Sequence, residues 1–103
     1  TQMIANANRM YYVDNGSYAS GQLVEGGTHV LIANKYMADN DWAKAAYYFY
    51  SCNNTETTGC CAAGAVACAD NKSTKATYKD WGYRITTAGV CTELNGAPSC
   101  PSF

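Results

Sequence analysis

A chain of 103 residues, 48% hydrophobic and 15% charged, fits one domain over 1–103 with a modest core. A formal net charge of −1 and scattered Lys and Arg exclude the clustered basic face that nucleic-acid binding requires. Six cysteines against a single histidine, His29, favour a disulfide-stapled protein of an oxidising compartment over a zinc protein. No C-x-x-C is present, and the only close cysteine pair is Cys60-Cys61. No metal or cofactor is expected. The chain opens Thr1-Gln2-Met3 without a legible leader or membrane segment, so the expectation is that an N-terminal export segment has been removed.

Residues 2–13, QMIANANRMYYV, read as a helix. Met3, Ile4, Ala7, Met10 and Tyr11 recur at three- and four-residue intervals, with Asn6, Asn8 and Arg9 on the other side. So short a helix is marginal alone. It must pack on something or be the tail of a longer helix, and Thr1 is available as an N-cap. Asp14-Asn15-Gly16 is a chain-reversal signal, because these residues tolerate positive φ. The reversal should bring Tyr11 and Tyr12 near Tyr18, laid against a core.

Residues 14–29 read as a glycine-punctuated loop. VLIANKYM, 30–37, is a helical turn or a strand, and periodicity does not decide between them. ADND, 38–41, marks a turn. AKAAYYFYSC, 43–52, is the best strand, since four consecutive aromatics suit a pleated surface. After polar residues 53–61, AAGAVACA at 62–69 reads as a second strand, buried through small residues. A loop at 70–80 leads to WGYRITT at 81–87, a third strand, and VCTEL at 90–94 is a fourth. NGAPSCPSF closes the chain. One helix followed by about four short antiparallel strands is an α+β arrangement with segregated layers.

A bridge between Cys91 and Cys100 would close a loop turned by Asn95-Gly96 and stiffened by Pro98. The loop-entropy model assigns so short a loop about 2.5–3 kcal/mol. Cys52, Cys60, Cys61 and Cys68 would then remain. A bond between neighbours 60 and 61 strains the peptide. That leaves 52–60 with 61–68, or 52–61 with 60–68, and the first is favoured because it does not cross.

Little in the sequence points to catalysis. His29, in GGTHVLI, has no evident nucleophile or acid beside it, so no enzyme is expected. Asp39 and Asp41 lack the spaced carboxylates and turn glycine of a calcium loop and read as a solvated turn. Asn15, Asn53 and Asn71 lie in N-x-[ST] sequons, which matter only in a glycosylating host.

MYYVDNGSYAS, with Tyr11, Tyr12, Asn15, Gly16, Ser17, Tyr18 and Ala19, resembles the helix end of type IV pilins and of the related type II secretion pseudopilins. YYFYSC at 47–52 is similar to their first sheet strand, and DWGYRITTAGVCTELNG at 80–96 to their closing strands. Cys91 and Cys100 match the pair that delimits the pilin C-terminal loop. The resemblance spans nearly the whole chain. It implies a head in which Tyr11 and Tyr18 cover the helix–sheet seam, with Trp42 and Trp81 as neighbours. Family members begin with a phenylalanine-led apolar helix bearing a glutamate, which is absent here. The resemblance therefore implies a soluble part in which 1–13 is the C-terminal portion of a longer helix, the missing portion being the only link to a membrane. It further implies a cell-surface filament subunit. Its partners would be other pilin subunits, the pilus assembly machinery and a surface or host ligand met through the loops. The alternatives are a pseudopilin or a small secreted disulfide-rich binding protein.

Overall fold

A computed structural model describes residues 1–77 and 80–100. Residues 78 and 79 of the expected 70–80 loop, and 101–103 of the closing segment, lie outside the described residues. The helix α1 runs Gln2–Asn15, two residues beyond the expected end. Gly16 stops it: with φ at 76° it takes the left-handed conformation, and its N–H donates to the Tyr12 carbonyl at 2.8 Å. Two further helical pieces follow. Val30–Ala33 (α2) settles the ambiguous 30–37 stretch as a helical turn, and Trp42–Lys44 is a single 3₁₀ turn.

The sheet has five strands rather than four. They are β1 (Gly21–Gln22), β2 (Tyr47–Ser51), β3 (Ala65–Asn71), β4 (Gly82–Thr86) and β5 (Cys91–Leu94). They form an antiparallel meander in the order β1-β2-β3-β4-β5. The additional strand, β1, lies within the stretch read as loop. Two exposed residues carry no alternating pattern, and they are held by pairing with Ser51 and Tyr50. The first expected strand, 43–52, starts four residues late because Trp42–Lys44 coils first.

Alternation sorts the sheet into two faces. Phe49, Ala67 and Ile85 belong to the face that packs with Ile4, Ala5, Ala7, Leu23 and Leu31 in the main core. Tyr50, Cys68 and Arg84 lie on the opposite face, beneath the connector from β2 to β3. There Cys52, Cys61, Ala65 and Cys68 form a second, smaller core. Within that connector Gly59 has φ at 61°, and a Cβ there would meet the Tyr50 ring at 2.8 Å. Only glycine lets the connector lie so close to the ring.

The buried side of α1 differs from the expected stripe. Ile4, Ala5, Ala7 and Asn8 are buried, whereas Met3 is 49% and Met10 57% exposed. Asn8, assigned from its polarity to the outer side, is fully buried. Its amide nitrogen faces the carbonyls of Ala19, Cys52 and Val66 at 2.9–3.0 Å, and its oxygen accepts the Ala19 N–H at 2.7 Å. The pairing of β3 with β4 shifts register between Ala65 and Ala67, so Val66 sits in a bulge. Asn8 supplies its carbonyl with a side-chain donor, while the Cys52 N–H donates to the same oxygen. Alanines on both surfaces, Ala5 and Ala7 against Ala67, keep helix and sheet close enough for a short side chain to reach.

Replacing Asn8 with Leu is expected to strand the Ala19 N–H and the Cys52 carbonyl in the interior. Each such group costs about 1–3 kcal/mol. Chemical denaturation with the disulfides intact should show a loss of about 3 kcal/mol or more. A loss below about 1 kcal/mol would mean that water replaces the amide.

Candidate functional site

The sequence-derived residues fall into three places: the end of α1, the disulfides and the outer helix face. At the end of α1 the reversal through Gly16 stacks Tyr12 on Tyr18, with ring centroids 4.4 Å apart and planes 19° apart. Tyr11 turns the other way and meets Tyr36 edge-on at 5.4 Å. Tyr36 is locked in place, its hydroxyl donating to Asp14 at 2.8 Å and accepting from Asn15 Nδ2 at 3.2 Å. Donating that proton to the Asp14 carboxylate stabilises the neutral phenol, so the bond raises the Tyr36 pKa above the ordinary phenol value. Tyr11 and Tyr18 both pack on the main core. Trp42 is buried in the main core on which Tyr11 and Tyr18 pack and meets Phe49 at 5.7 Å, while Trp81 stacks on Tyr47 at 5.8 Å and contacts Tyr83. Tyr36 was missed because nothing in VLIANKYM marks it. Its role depends on a contact with residues 21 and 22 positions away.

All six cysteines pair: Cys52 with Cys61, Cys60 with Cys68, and Cys91 with Cys100. The central two bridges cross, contrary to the favoured alternative. The physical reason is side-chain direction. Exchanging residues 60 and 61 alters each loop by one residue, worth only about 0.2 kcal/mol in closure entropy. Cys61 is buried towards Cys52 at the end of β2, while Cys60 stays half-buried over Cys68 in β3. At the C terminus Ala97 N–H donates to Leu94 O across Asn95 and Gly96, whose φ values are 51° and 82°. This is the two-residue reversal that suits strand twist. The chain returns beside β5, and Cys100 N–H donates to the Glu93 carboxylate at 3.3 Å.

His29 is buried and hydrogen-bonded at both ring nitrogens. Nδ1 accepts the Leu31 N–H at 3.1 Å, capping α2, and Nε2 lies 2.9 Å from Ser51 Oγ. A backbone N–H can only donate, so the neutral ring carries its proton on Nε2 and donates to Ser51. Ser51 Oγ in turn points to the Gly21 carbonyl at 3.5 Å. In this tautomer the ring has no free lone pair with which to take the serine proton. The pair is a link between the 21–29 segment and β2. Desolvation holds the His29 pKa below its ordinary value, with the nearby Gly21 carbonyl acting in the opposite direction.

The ADND turn is a solvated, internally paired loop. Asp39 accepts from Asn40 N–H and from Trp42 Nε1, and Asp41 pairs with Lys44 at 3.0 Å. Glu25 shares a hydrogen bond with Asp41, which raises its pKa. The sequon residues Asn53 and Asn71 turn their side chains onto their own loops, Asn53 Oδ1 accepting from Thr55 and Glu56 and Asn71 Oδ1 from Ser73.

The third place is the outer side of α1. Met3, Asn6, Met10 and Val13 follow one another at helical spacing, and Val13 is 82% exposed. Asn6, Arg9, Met10 and Val13 line a shallow surface groove. No helix among the described residues is long and apolar enough to cross a membrane. No protein-family model, curated protein or solved structure matches this chain.

His29 gives a testable pH dependence. Its folded pKa is below its unfolded one, so in the window between them the unfolded chain binds more protons. The stabilising effect of the neutral ring is complete above about pH 6.5 and is lost as pH falls towards the folded pKa. Denaturation midpoints should drop over that window, and His29→Gln should flatten the drop. Parallel curves for the two proteins would exclude His29 as its source.

Proposed function

We propose that the chain is the surface head of a subunit of an extracellular filament of the type IV pilin kind, assembled by helix-to-helix packing between copies. One observation carries this reading: α1 has two apolar sides. Ile4, Ala5 and Ala7 are buried in the main core, while Met3, Met10 and Val13 lie outside it and are 49%, 57% and 82% exposed. A helix serving only its own domain normally has a polar outer side. Here the outer side suits a second helix. The helix-on-sheet layering, the stacked tyrosines at the helix end and the disulfide-closed C-terminal loop support the same reading. In this scheme the loops at 20–29, 53–61, 70–80 and 92–99 supply the surface for subunit contacts and adhesion. The protein is anchored in the membrane before assembly only through an apolar extension of α1.

The test is the intact mass and N-terminal sequence of native protein sheared from its source cells. A longer apolar helix with an N-methylated first residue is the expected result. A native chain beginning near Thr1 and free in the medium would instead favour a secreted binding protein. Met10→Glu and Val13→Glu should each lower filament yield by about tenfold or more, because burying an unpaired carboxylate costs well over the roughly 1.4 kcal/mol that tenfold represents. The denaturation midpoint of the isolated head should be unchanged by either substitution.

A further inference from the structure

Asn15, Asn53 and Asn71 each stand two residues before a serine or threonine, and the fold treats them differently. Asn15 is the last residue of α1, and its Nδ2 donates to the Tyr11 carbonyl at 3.0 Å and to the Tyr36 hydroxyl at 3.2 Å. Its amide nitrogen is thus engaged at the helix end. Asn71 is the last residue of β3, half-buried, and its N–H donates to the Trp81 carbonyl at 2.8 Å. The next residue, Lys72, donates from its backbone to Ala46 O at 3.0 Å and from Nζ to Ala43 O at 2.7 Å. That sequon is sewn to neighbouring segments and cannot be lifted out without breaking those bonds. Asn53 and Thr55 are both exposed and lie in the connector, outside the ladder of the sheet.

Asn53-Asn54-Thr55 closes on itself. Asn53 Oδ1 accepts from the Thr55 N–H and the Thr55 hydroxyl, each at 3.1 Å, and from the Glu56 N–H at 2.8 Å. The Glu56 carboxylate accepts the Asn53 N–H in return, at 2.9 Å. This reciprocal pairing, the logic of a capping box, holds the turn through its own side chains. Nδ2 of Asn53 meets no acceptor among the described residues. Three donors on Oδ1 draw electron density from the nitrogen towards the oxygen, which makes an Nδ2 proton easier to remove. The hydroxyl two residues on, which marks an acceptor asparagine, is one of those three donors.

We propose that Asn53 is the N-glycan acceptor of this protein. The donor is a glycan carried on a lipid phosphate, presented by a membrane transferase of the source cell. Asn53 Nδ2 attacks C1 of the first sugar. The C1–N bond forms as the C1–O bond breaks, the electron pair of that bond leaves with the lipid phosphate, and the Nδ2 proton passes to a base of the transferase. The central disulfides bear on this in two ways. Disulfides persist in exported chains, and such glycans are added to secreted proteins. Cys52–Cys61 and Cys60–Cys68 also pin both ends of the 53–59 segment, so the turn is presented as a fixed loop. A glycan there adds hydrophilic bulk to the connector that covers the smaller core. The proposal is independent of the filament reading, because a secreted binding protein would present the same turn.

The test is peptide mass spectrometry of native protein from its source cells, reduced, alkylated and cleaved after Lys and Glu. Cleavage after Glu56 places Asn53 and Asn71 on separate peptides. Electron-transfer fragmentation keeps the sugar on the residue that carries it. The expected result is a saccharide mass on Asn53, with Asn15 and Asn71 bare. Asn53→Gln and Thr55→Ala, produced in the same cells, should each abolish the modification, whereas Thr55→Ser should keep it. Thr55→Ala leaves the acceptor nitrogen in place, so its effect reports the hydroxyl alone. A bare Asn53 in the native protein, a glycan on Asn15 or Asn71 at equal or higher occupancy, or a modification that survives Thr55→Ala would each overturn the proposal.

Discussion

The amide of Asn8 is the constraint on which the rest of this fold depends. One side chain, buried between helix and sheet, meets carbonyls from three separate segments and receives an N–H from one of them. Any buried alternative would leave those groups unpaired in a medium where each is costly. The amide thus fixes the axial position of α1, the path of the chain at Ala19 and the junction of Cys52 with the bulge at Val66. Hydrophobic burial would bring helix and sheet together in many nearby registers. The polar contact selects one of them.

From that register the two layers divide their duties. On the inner face, apolar burial and the His29–Ser51 link hold the 21–29 segment over β2. On the outer face there is too little apolar area for a second core of ordinary kind, and crossed disulfides take its place. The connector of residues 52–64 is polar and rich in turns, with Gly59 pressed on Tyr50. Its covalent closure substitutes for side chains that it lacks. A chain of 103 residues has a limited core, which is why such staples matter to it.

How much of this was legible depended on whether the deciding contact was local. Asp14-Asn15-Gly16 announced the reversal because conformation at Gly16 is a property of that residue and its neighbours. The aromatic run at 47–50 and the alanine-rich stretch announced their strands, though not the 3₁₀ turn before one of them. Asn8 was misplaced because polarity is read from the residue while burial is decided by groups up to 58 positions away. Met3 and Met10 were turned inward because 3,4-spacing fits more than one side of the helix when apolar residues lie on both. The two-residue β1, the edge contact of Tyr36 and the crossing of the bridges had no local signal at all. The helix-end tyrosines were legible as neighbours, but which ring meets which was not.

The chain's return beside β5 has a consequence for how this protein meets copies of itself. A sheet has two borders, and an open border invites a foreign strand to continue the hydrogen-bonded ladder without limit. Here one border is β1, a strand of two residues, and the other runs under the segment tethered by Cys91–Cys100, with Pro98 contributing no N–H of its own. Neither offers a long template. Growth by strand addition, the route of amyloid, is therefore discouraged at both ends of the ladder. Association is left to side-chain surfaces, where fit and geometry, not backbone repetition, set the order of the assembly.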